Sequence, residues 1–224
     1  HRVHRRQRQM CIRDSEFVPN PEFVPTFKKE EENYKEAAKI LKESGADLLV
    51  LEMLLDVDHS KILLNAALET GLPVWVGLSC CDSKFDNSVI GRNFRAEKEK
   101  SLIYDENIYK DQPKYLPEDK IILLEDIIKS LTSLGGDVYG IMHTWFQDSI
   151  GGLKILKNNW KGPIMFYPEI HKFDTNTHKA IITMTEEEYS NSILELVDDQ
   201  IQIVGGCCGV NDKHLKRLIQ SISE

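Results

Sequence analysis

The stretch IQIVGGCCGVNDKHLKRLIQSI, residues 201–222, sets the pattern from which the fold can be predicted. Its first part is an apolar run that ends in glycine and cysteine, and this composition predicts a buried strand over 201–208. Its second part has apolar residues at helical spacing and predicts a helix from about residue 211. The unit is thus a strand that ends in polar or reactive residues and is followed by a helix.

Four further copies of this unit lie upstream, and a helix over 27–44 precedes them all. Short apolar runs between glycine, proline or polar residues predict the strands, and amphipathic spacing predicts the helices. The expected strands are 47–54, 73–80, 137–144 and 163–170, and the expected helices are 59–70, 118–134, 148–159 and 185–198. Two polar stretches, 82–117 and 171–184, interrupt the repeat as long excursions. Connections of this kind make the strands parallel and the crossovers right-handed.

Polar residues at the strand ends decide between the two folds that such a repeat allows, an open doubly wound sheet and a barrel. These residues are Glu52, Cys80, His143, Glu169 and the pair Cys207 and Cys208. A closed barrel would gather all of these strand ends around one pocket, where barrel enzymes place their chemistry, whereas an open sheet would spread them along an edge. We therefore predict an α/β fold of the (β/α)8 TIM-barrel type, with the first strands missing from this chain.

The composition excludes several classes of protein. The 224 residues include 28 lysines and arginines against 36 aspartates and glutamates, for a formal net charge of −8. Such an acidic chain lacks the clustered positive charge that nucleic acids and anionic membranes require. No apolar run approaches the roughly 18 residues of a transmembrane helix. Four of the five cysteines form two adjacent pairs, unlike the spaced framework of a secreted disulfide protein, so we expect a reducing cytoplasm.

Residues 1–15, HRVHRRQRQMCIRDS, differ in composition from everything that follows. They carry five arginines and one aspartate, whereas the chain as a whole is acidic. They lack the apolar core of a signal peptide, which favours an appended or mistranslated segment over a targeting signal. A basic tail that touches nucleic acid is the remaining interpretation. We expect residues 1–15 to be a non-native or disordered leader and residues 16–224 to be a partial barrel domain.

The motif GGCCG at 205–209 carries the most specific chemical information. Adjacent cysteines on a regular strand point to opposite faces, so both thiols can reach one ion only where the backbone leaves the extended form. The flanking glycines allow that departure, because glycine adopts backbone angles closed to other residues. Paired thiolates suit a soft or borderline cation, zinc above all. The alternatives are two small buried hydrophobic residues and a redox-active vicinal disulfide.

In this motif the chain resembles the homocysteine S-methyltransferase family, whose last barrel strand ends in Gly-Gly-Cys-Cys-Gly before a helix. The stretches GADLLVLEML, GLPVWVGLS, DVYGIMHT and GPIMFYPEI resemble the family's fourth to seventh strands. The resemblance implies a barrel that binds zinc through three cysteines. It also implies transfer of a methyl group to the thiol of homocysteine, giving methionine, from a donor such as S-methylmethionine, betaine or a methyl-folate. Nothing in residues 1–25 matches the Asp-Gly-Gly-Met-Gly-like motif of the family's first strand, so we expect an N-terminally incomplete member.

The resemblance further implies roles for individual residues. Cys207 and Cys208 would bind zinc, and Glu52 would bind the substrate through the amino group of homocysteine. His143 stands in place of the family's third cysteine ligand, and an imidazole there would leave the site with one negative charge fewer. Glu169 stands where the family has asparagine, and would alter the donor choice or the charge of the pocket. The alternatives are a helix cap or a lysine partner for Glu52, and a hydrogen-bonded structural residue for His143.

We therefore expect a zinc-dependent S-methyltransferase of methionine biosynthesis whose partners are a small thiol substrate and a methyl donor, without nucleic acid or membrane. One competing hypothesis is a non-catalytic barrel relative that binds a small thiol or amino acid. Another is a redox or metal-storage protein that uses both cysteine pairs, although Cys80 and Cys81 are more simply read as buried structural thiols. His214, in the last helix, is expected at the surface. The methyl donor and the oligomeric state do not follow from these residues.

Overall fold

A computed structural model describes residues 25–83, 88–91, 122–173 and 180–223 of the chain. Its helices are α1 (Phe27–Glu43), α2 (Asp58–Leu68), α3 (Leu124–Thr132), α4 (Phe146–Asn159), α5 (Glu186–Leu194) and α6 (Asp212–Ser223). Its strands are β1 (Leu49–Leu54), β2 (Val74–Leu78), β3 (Cys80–Asp82), β4 (Val89–Gly91), β5 (Val138–Trp145), β6 (Ile164–Glu169), β7 (His171–Phe173), β8 (Ala180–Ile182) and β9 (Ile201–Val204). The expected leader, most of the first polar excursion and the start of the helix predicted over 118–134 lie outside the described residues.

The main sheet consists of five parallel strands in the order β1-β2-β5-β6-β9. Each strand lies beside the preceding strand of the repeat, without the reversal of strand order that defines a doubly wound sheet. Two small antiparallel pairs, β3 with β4 and β7 with β8, follow the carboxyl ends of β2 and β6. The predicted α/β class is confirmed, and the sequential order is that of a segment of a (β/α)8 barrel. Over the described residues the sheet does not close.

Helix ends follow local sequence chemistry. The side chain of Thr26 accepts a hydrogen bond from the backbone N–H of Lys29 and begins α1, and Gly45, with a φ of 87°, follows its end. Helix α5 begins with a capping box, in which the side chains of Thr185 and Glu188 each accept a hydrogen bond from the other's backbone N–H. These caps satisfy backbone donors that a helix leaves unpaired, so helix α5 begins at a defined residue after the excursion.

Alternate residues of the sheet pack against the helices and form the hydrophobic core, because successive side chains of a strand point to opposite faces. The sheet contributes apolar residues from all five strands, and every helix contributes at least one. Representative members are Leu51, Val76, Ile141, Phe166 and Ile201 from the sheet and Ala38, Leu64, Ile127, Leu153, Ile193 and Leu218 from the helices. The other face of the sheet is therefore left for the interior of the barrel segment.

Two methionines cover part of this inner face. A Cβ added at Gly77 would lie 2.9 Å from Cγ of Met142, and one added at Gly140 would overlap Cγ of Met165. The glycines thus make room for long side chains from neighbouring strands, as in the layered interior of a barrel. Near β1 the inner face is open, and Val50 is 41% exposed.

Two differences from the sequence predictions concern the last strand and the last helix. Strand β9 ends at Val204 rather than at residue 208, because the glycines that follow take the chain out of the extended form. His214 is buried rather than at the surface, because its ring packs edge-on against Tyr189 and its Nε2 lies 3.3 Å from the carbonyl oxygen of Met184. Among the described residues, every helix is too short or too polar to cross a membrane.

Candidate metal centre

Residues 205–208 leave β9 and run along the carboxyl end of β6. The backbone N–H of Gly205 donates to the carbonyl of Phe166 at 3.1 Å, and that of Cys207 donates to the carbonyl of Pro168 at 3.1 Å. In the opposite sense, Ile170 donates to the carbonyl of Cys208 at 2.9 Å. These hydrogen bonds fix both cysteines at the end of β6, although they lie beyond the regular strand β9.

Two of the glycines are required by this path. A Cβ at Gly206 would overlap the side chain of Val210, so only glycine fits there. Gly209 has a φ of 88°, and a Cβ there would lie 3.1 Å from the backbone nitrogen of His171. The chain can therefore turn tightly after the cysteines and pass close to the backbone that follows β6.

His143 reaches the cysteines from β5. The pairing of β5 with β6 changes register between Met142 and Trp145, which marks a bulge at this point. His143 lies in the bulge with a φ of 46°, in the left-handed region that non-glycine residues seldom adopt. A bulge redirects a side chain at a strand end. Nδ1 of His143 lies 3.8 Å from Sγ of Cys207 and 3.8 Å from Sγ of Cys208.

The three donor atoms fit a tetrahedral ion. The two sulfurs are 3.9 Å apart, and each is 3.8 Å from the imidazole nitrogen. Standard zinc bond lengths at tetrahedral angles require roughly 3.8 Å between two sulfurs and roughly 3.6 Å between sulfur and nitrogen. The group of His143, Cys207 and Cys208 can therefore hold a borderline metal ion with small shifts of its side chains. The predicted assignment of these three residues as metal ligands agrees with this geometry and stays a prediction.

Glu169 and His171 border the same site. The carboxylate of Glu169 is completely buried, and its Oε2 lies 3.3 Å from Nδ1 of His143 and 3.9 Å from Nδ1 of His171. Glu169, His171 and Cys208 form a second group whose donor atoms lie within 4.8 Å of one another. Burying a carboxylate requires nearby compensation, which imidazoles or a cation can supply. Glu169, predicted to bind substrate, therefore faces the imidazoles from a buried position.

The two thiols differ in acidity. A hydrogen bond from the Cys207 thiol lowers the pKa of Cys208 to about 4, and His143 acts in the same direction. The same hydrogen bond, together with burial, raises the pKa of Cys207. The Cys208 sulfur is thus the more acidic donor, and Cys207 needs the additional positive charge of a cation to ionise.

Glu52 lies near the carboxyl end of β1 and is exposed on the inner face of the sheet. The next residue, Met53, has a φ of 62°, and its N–H donates to Sδ of Met142 at 3.1 Å. Burial raises the pKa of Tyr167, and the charges of Glu52 and Cys207 add to this effect. The Tyr167 phenol thus interacts electrostatically with both the predicted substrate-binding carboxylate and a thiol of the centre.

Cys80 and Cys81 are structural rather than part of the centre. Both are buried, and neither belongs to the metal-capable groups found among the described residues. Cys80 belongs to the main hydrophobic core, where a Cβ added at Gly152 would overlap its sulfur. Cys81 packs with Ile90 in a small separate cluster.

The sequence analysis named Glu169 but missed His171 and Tyr167. Tyr167 lies two residues before Glu169 and His171 two residues after it, so the spacing by two was the available indication. Strand β6 ends at Glu169, however, and alternation along a regular strand does not predict which way His171 points beyond that end. His171 takes its position from strand β7 and from the close approach of Gly209.

Comparison with known proteins gives a family match. The chain matches the family model described as Homocysteine S-methyltransferase over residues 9–102 and 123–222, which is most of its length. A search of curated protein sequences finds no match to the chain.

The chain is also similar to solved structures. The metallated form of the homocysteine methyltransferase MmuM from Escherichia coli matches with a TM-score of 0.62 and 12% identity, over 94% of this chain and 57% of that chain. The apo form of the same enzyme matches with a TM-score of 0.56 and 12% identity, over 89% of this chain and 58% of that chain. The chain therefore spans little more than half the length of that enzyme, and at such low identity the likeness shows the fold alone.

Proposed function

Because the chain belongs to the homocysteine S-methyltransferase family, we propose that it takes part in zinc-dependent transfer of a methyl group from a small donor to the thiol of homocysteine, giving methionine. The observation that carries the proposal is the triangle of His143, Cys207 and Cys208, whose donor atoms lie 3.8 to 3.9 Å apart. Methionine biosynthesis in a reducing cytoplasm suits this assignment, because Cys207 and Cys208 are thiols rather than a disulfide.

In the proposed centre, His143, Cys207 and Cys208 would hold the ion and leave a fourth position for the substrate sulfur. Zinc, when bound, lowers the pKa of a coordinated thiol and holds the thiolate in place. The acidic Cys208 thiol and the neutral imidazole give the protein ligands two negative charges once Cys207 has ionised. A set with three cysteines would carry three, so we expect the substrate sulfur here to be less electron-rich.

We assign the amino group of homocysteine to Glu52, because this carboxylate is exposed on the open inner face of the sheet. The Tyr167 phenol is a candidate hydrogen-bonding group for the substrate, because it is close enough to both Glu52 and Cys207 for their charges to raise its pKa. Glu169 is buried away from solvent, which favours a role in setting the charge around the ligands over direct contact with an incoming substrate. Positioning the thiol and the methyl donor in line would be the main contribution of the protein.

A second candidate function is binding of a small thiol or amino acid without turnover. The observation that favours it is His143 in place of a third thiolate, because the lower negative charge makes the bound thiolate a poorer nucleophile. Stoichiometric metal with methyl transfer supports the enzyme, whereas metal and homocysteine binding without transfer supports the binding protein.

The test combines metal content with a methyl-transfer assay on the 224-residue chain. In protein purified without added zinc, we expect about one tightly bound zinc per chain in the wild type, which Cys207→Ser and His143→Ala should both lose. His143→Cys should retain zinc and transfer methyl groups from S-methylmethionine, betaine or a methyl-folate at least as fast as the wild type. Cys80→Ala is the matched control, because it removes a buried thiol outside the centre.

Tightly bound zinc that remains in Cys207→Ser purified without added zinc, or a wild type that takes up no zinc at all, would contradict the proposed centre. Zinc that is lost from Cys207→Ser but kept by His143→Ala would remove only His143 from the ligand set.

A further inference from the structure

The centre contains more donor atoms than one ion can use. Besides His143 and Cys207, it includes the group of Glu169, His171 and Cys208, whose donor atoms lie within 4.8 Å of one another. The two groups share Cys208 and no other residue. A single tetrahedral ion between His143 and the two cysteines would therefore leave the carboxylate and the second imidazole as donors beside it.

The backbone holds the second group in place. Glu169 is the last residue of β6 and His171 is the first residue of β7, so both lie at the end of the same strand. The hydrogen bond from Ile170 to the carbonyl of Cys208 joins this point to the cysteine loop. Gly209 then brings the chain against the backbone of His171. The three donors thus come from two segments that are hydrogen-bonded to each other.

The chemistry of the second group suits a divalent cation. Its carboxylate, imidazole and thiolate are all standard zinc ligands. The buried carboxylate of Glu169 would gain a compensating charge. Oε2 of Glu169 and Nδ1 of His171 lie 3.9 Å apart, and a shift of about half an ångström would bring them to a common tetrahedral ion. A thiolate sulfur has several lone pairs, so Cys208 can contact two ions at once.

We propose that Glu169, His171 and Cys208 form a second divalent-cation position, adjacent to the first and sharing the Cys208 sulfur with it. This inference extends the proposed function, because it rests on the first position as its neighbour. The first position has two thiolates and the second has one, so borderline cations fill the first position before the second. Occupation of the second position also draws charge from the Cys208 sulfur.

The experiment measures zinc stoichiometry on the full chain by elemental analysis after equilibration with zinc chloride. Titration with cobalt(II) adds a spectroscopic measure of thiolate coordination that does not depend on activity. We expect about two ions per chain in the wild type and about one in His171→Ala and Cys207→Ser, with both ions lost in Cys208→Ser. Glu169→Gln keeps the shape of the side chain and should weaken the second ion by about tenfold or more, and the first ion less than the second.

His59→Ala is the matched control. Nδ1 of His59 lies 2.7 Å from Oε2 of buried Glu30, so it is also a histidine paired with a buried carboxylate, but it belongs to neither metal-capable group. The His59→Ala variant should bind the same number of zinc ions per chain as the wild type. Circular dichroism of each variant shows that it has folded.

The outcomes separate this inference from the proposed function. One ion in the wild type that Cys207→Ser loses and His171→Ala keeps would overturn the second position and leave the first. One ion that His171→Ala loses and Cys207→Ser keeps would support the second position and overturn the first. Absence of bound zinc in the wild type would overturn both.

Discussion

Tyr189 is the residue that ties the cysteine loop to the helical layer. It is fully buried on α5, and its hydroxyl donates a hydrogen bond to the carbonyl of Gly205, just after β9. Its ring contacts Phe146 and His214 edge-on, so the hydroxyl has little freedom to move. Tyr189 is therefore a positioning residue for Cys207 and Cys208, although it touches neither the proposed ion nor the substrate.

Tyr189→Phe should lower the free energy of unfolding by about 1 kcal/mol, because the partly buried carbonyl of Gly205 loses this donor. It should also weaken zinc binding by about tenfold, because the loop is less well held. Urea unfolding and competition with a zinc chelator measure the two effects.

The control for this variant is Tyr139→Phe, whose hydroxyl donates to the carbonyl of Gly135 at 2.6 Å on the opposite side of the sheet from the centre. It should cost a similar free energy of unfolding and leave zinc affinity unchanged. Equal zinc affinity in Tyr189→Phe and Tyr139→Phe would contradict the positioning role of Tyr189.

Backbone strain also concentrates at the residues of the site. Met53 and His143 are the non-glycine residues with left-handed angles in the described part of the chain, with φ values of 62° and 46°. Each lies within a break in strand register near the carboxyl end of its strand. Such a conformation costs about 1 to 2 kcal/mol per residue. Favourable interactions elsewhere in the fold must offset that cost, and the strained backbone directs the His143 ring toward the cysteines.

At the scale of elements, helix α4 packs closely against the short strand β3 at Gly152. A Cβ added at Gly152 of α4 would overlap the Cys80 sulfur and lie 3.3 Å from Cδ1 of Ile141. Thr144 of β5 accepts a hydrogen bond from the backbone N–H of Cys80 at 3.0 Å, which holds Cys80 in place against β5. The small residue on the helix and the thiol on the strand thus set the distance between these two elements.

Gly152→Ala should lower the free energy of unfolding by about 1 to 3 kcal/mol through overpacking. Cys80→Ala should cost about 1 to 2 kcal/mol through lost packing. The double variant should cost clearly less than the two single losses together, because the new methyl group occupies the space that the sulfur leaves. Urea unfolding of the three variants measures this coupling, and strict additivity would contradict the packing account.

Most of the elements could be predicted from the sequence, because their patterns are strong. Helix α3 has buried apolar residues at helical spacing, and β5 is an apolar run with a glycine pair before it. The end of β9 was predicted less well, because residues 205–208 are apolar enough to be predicted as strand. They leave the strand because the chain packs closely against Val210 and the backbone of His171, and these contacts cannot be seen in the sequence. Helix α6 was predicted, but the burial of His214 depends on α5, which lies far from it in sequence.

At the scale of the whole molecule, the proposed metal ligands come from separate strands. His143 comes from β5, Glu169 from β6, and Cys207 and Cys208 from the chain that follows β9. The sequence analysis predicted that these residues meet, because parallel strands of a barrel bring their carboxyl ends to one side. It did not predict the bulge at His143 or the buried position of Glu169, since both depend on pairing between strands.

Zinc should therefore stabilise the entire chain. At a free zinc concentration about 100 times the dissociation constant, the free energy of unfolding should rise by about 2.7 kcal/mol, provided that the unfolded chain does not bind the ion. Urea unfolding with zinc, and again with an added chelator, measures the increase and its reversal. Cys208→Ser should show almost none of it, because both proposed positions use this sulfur. An equal increase in that variant would mean that zinc binds elsewhere.

The sequential order of the sheet also has a consequence for biosynthesis. Cys207 follows His143 by 64 residues, so the imidazole leaves the ribosome well before the thiols are made. Strands β2, β5, β6 and β9 can each dock beside a neighbour that has already been translated. The thiols then emerge onto strands that are already in place, and the proposed ligand set of His143, Cys207 and Cys208 is complete only after β9 has docked. Metal capture at the proposed site should therefore follow the docking of β9 rather than compete with it.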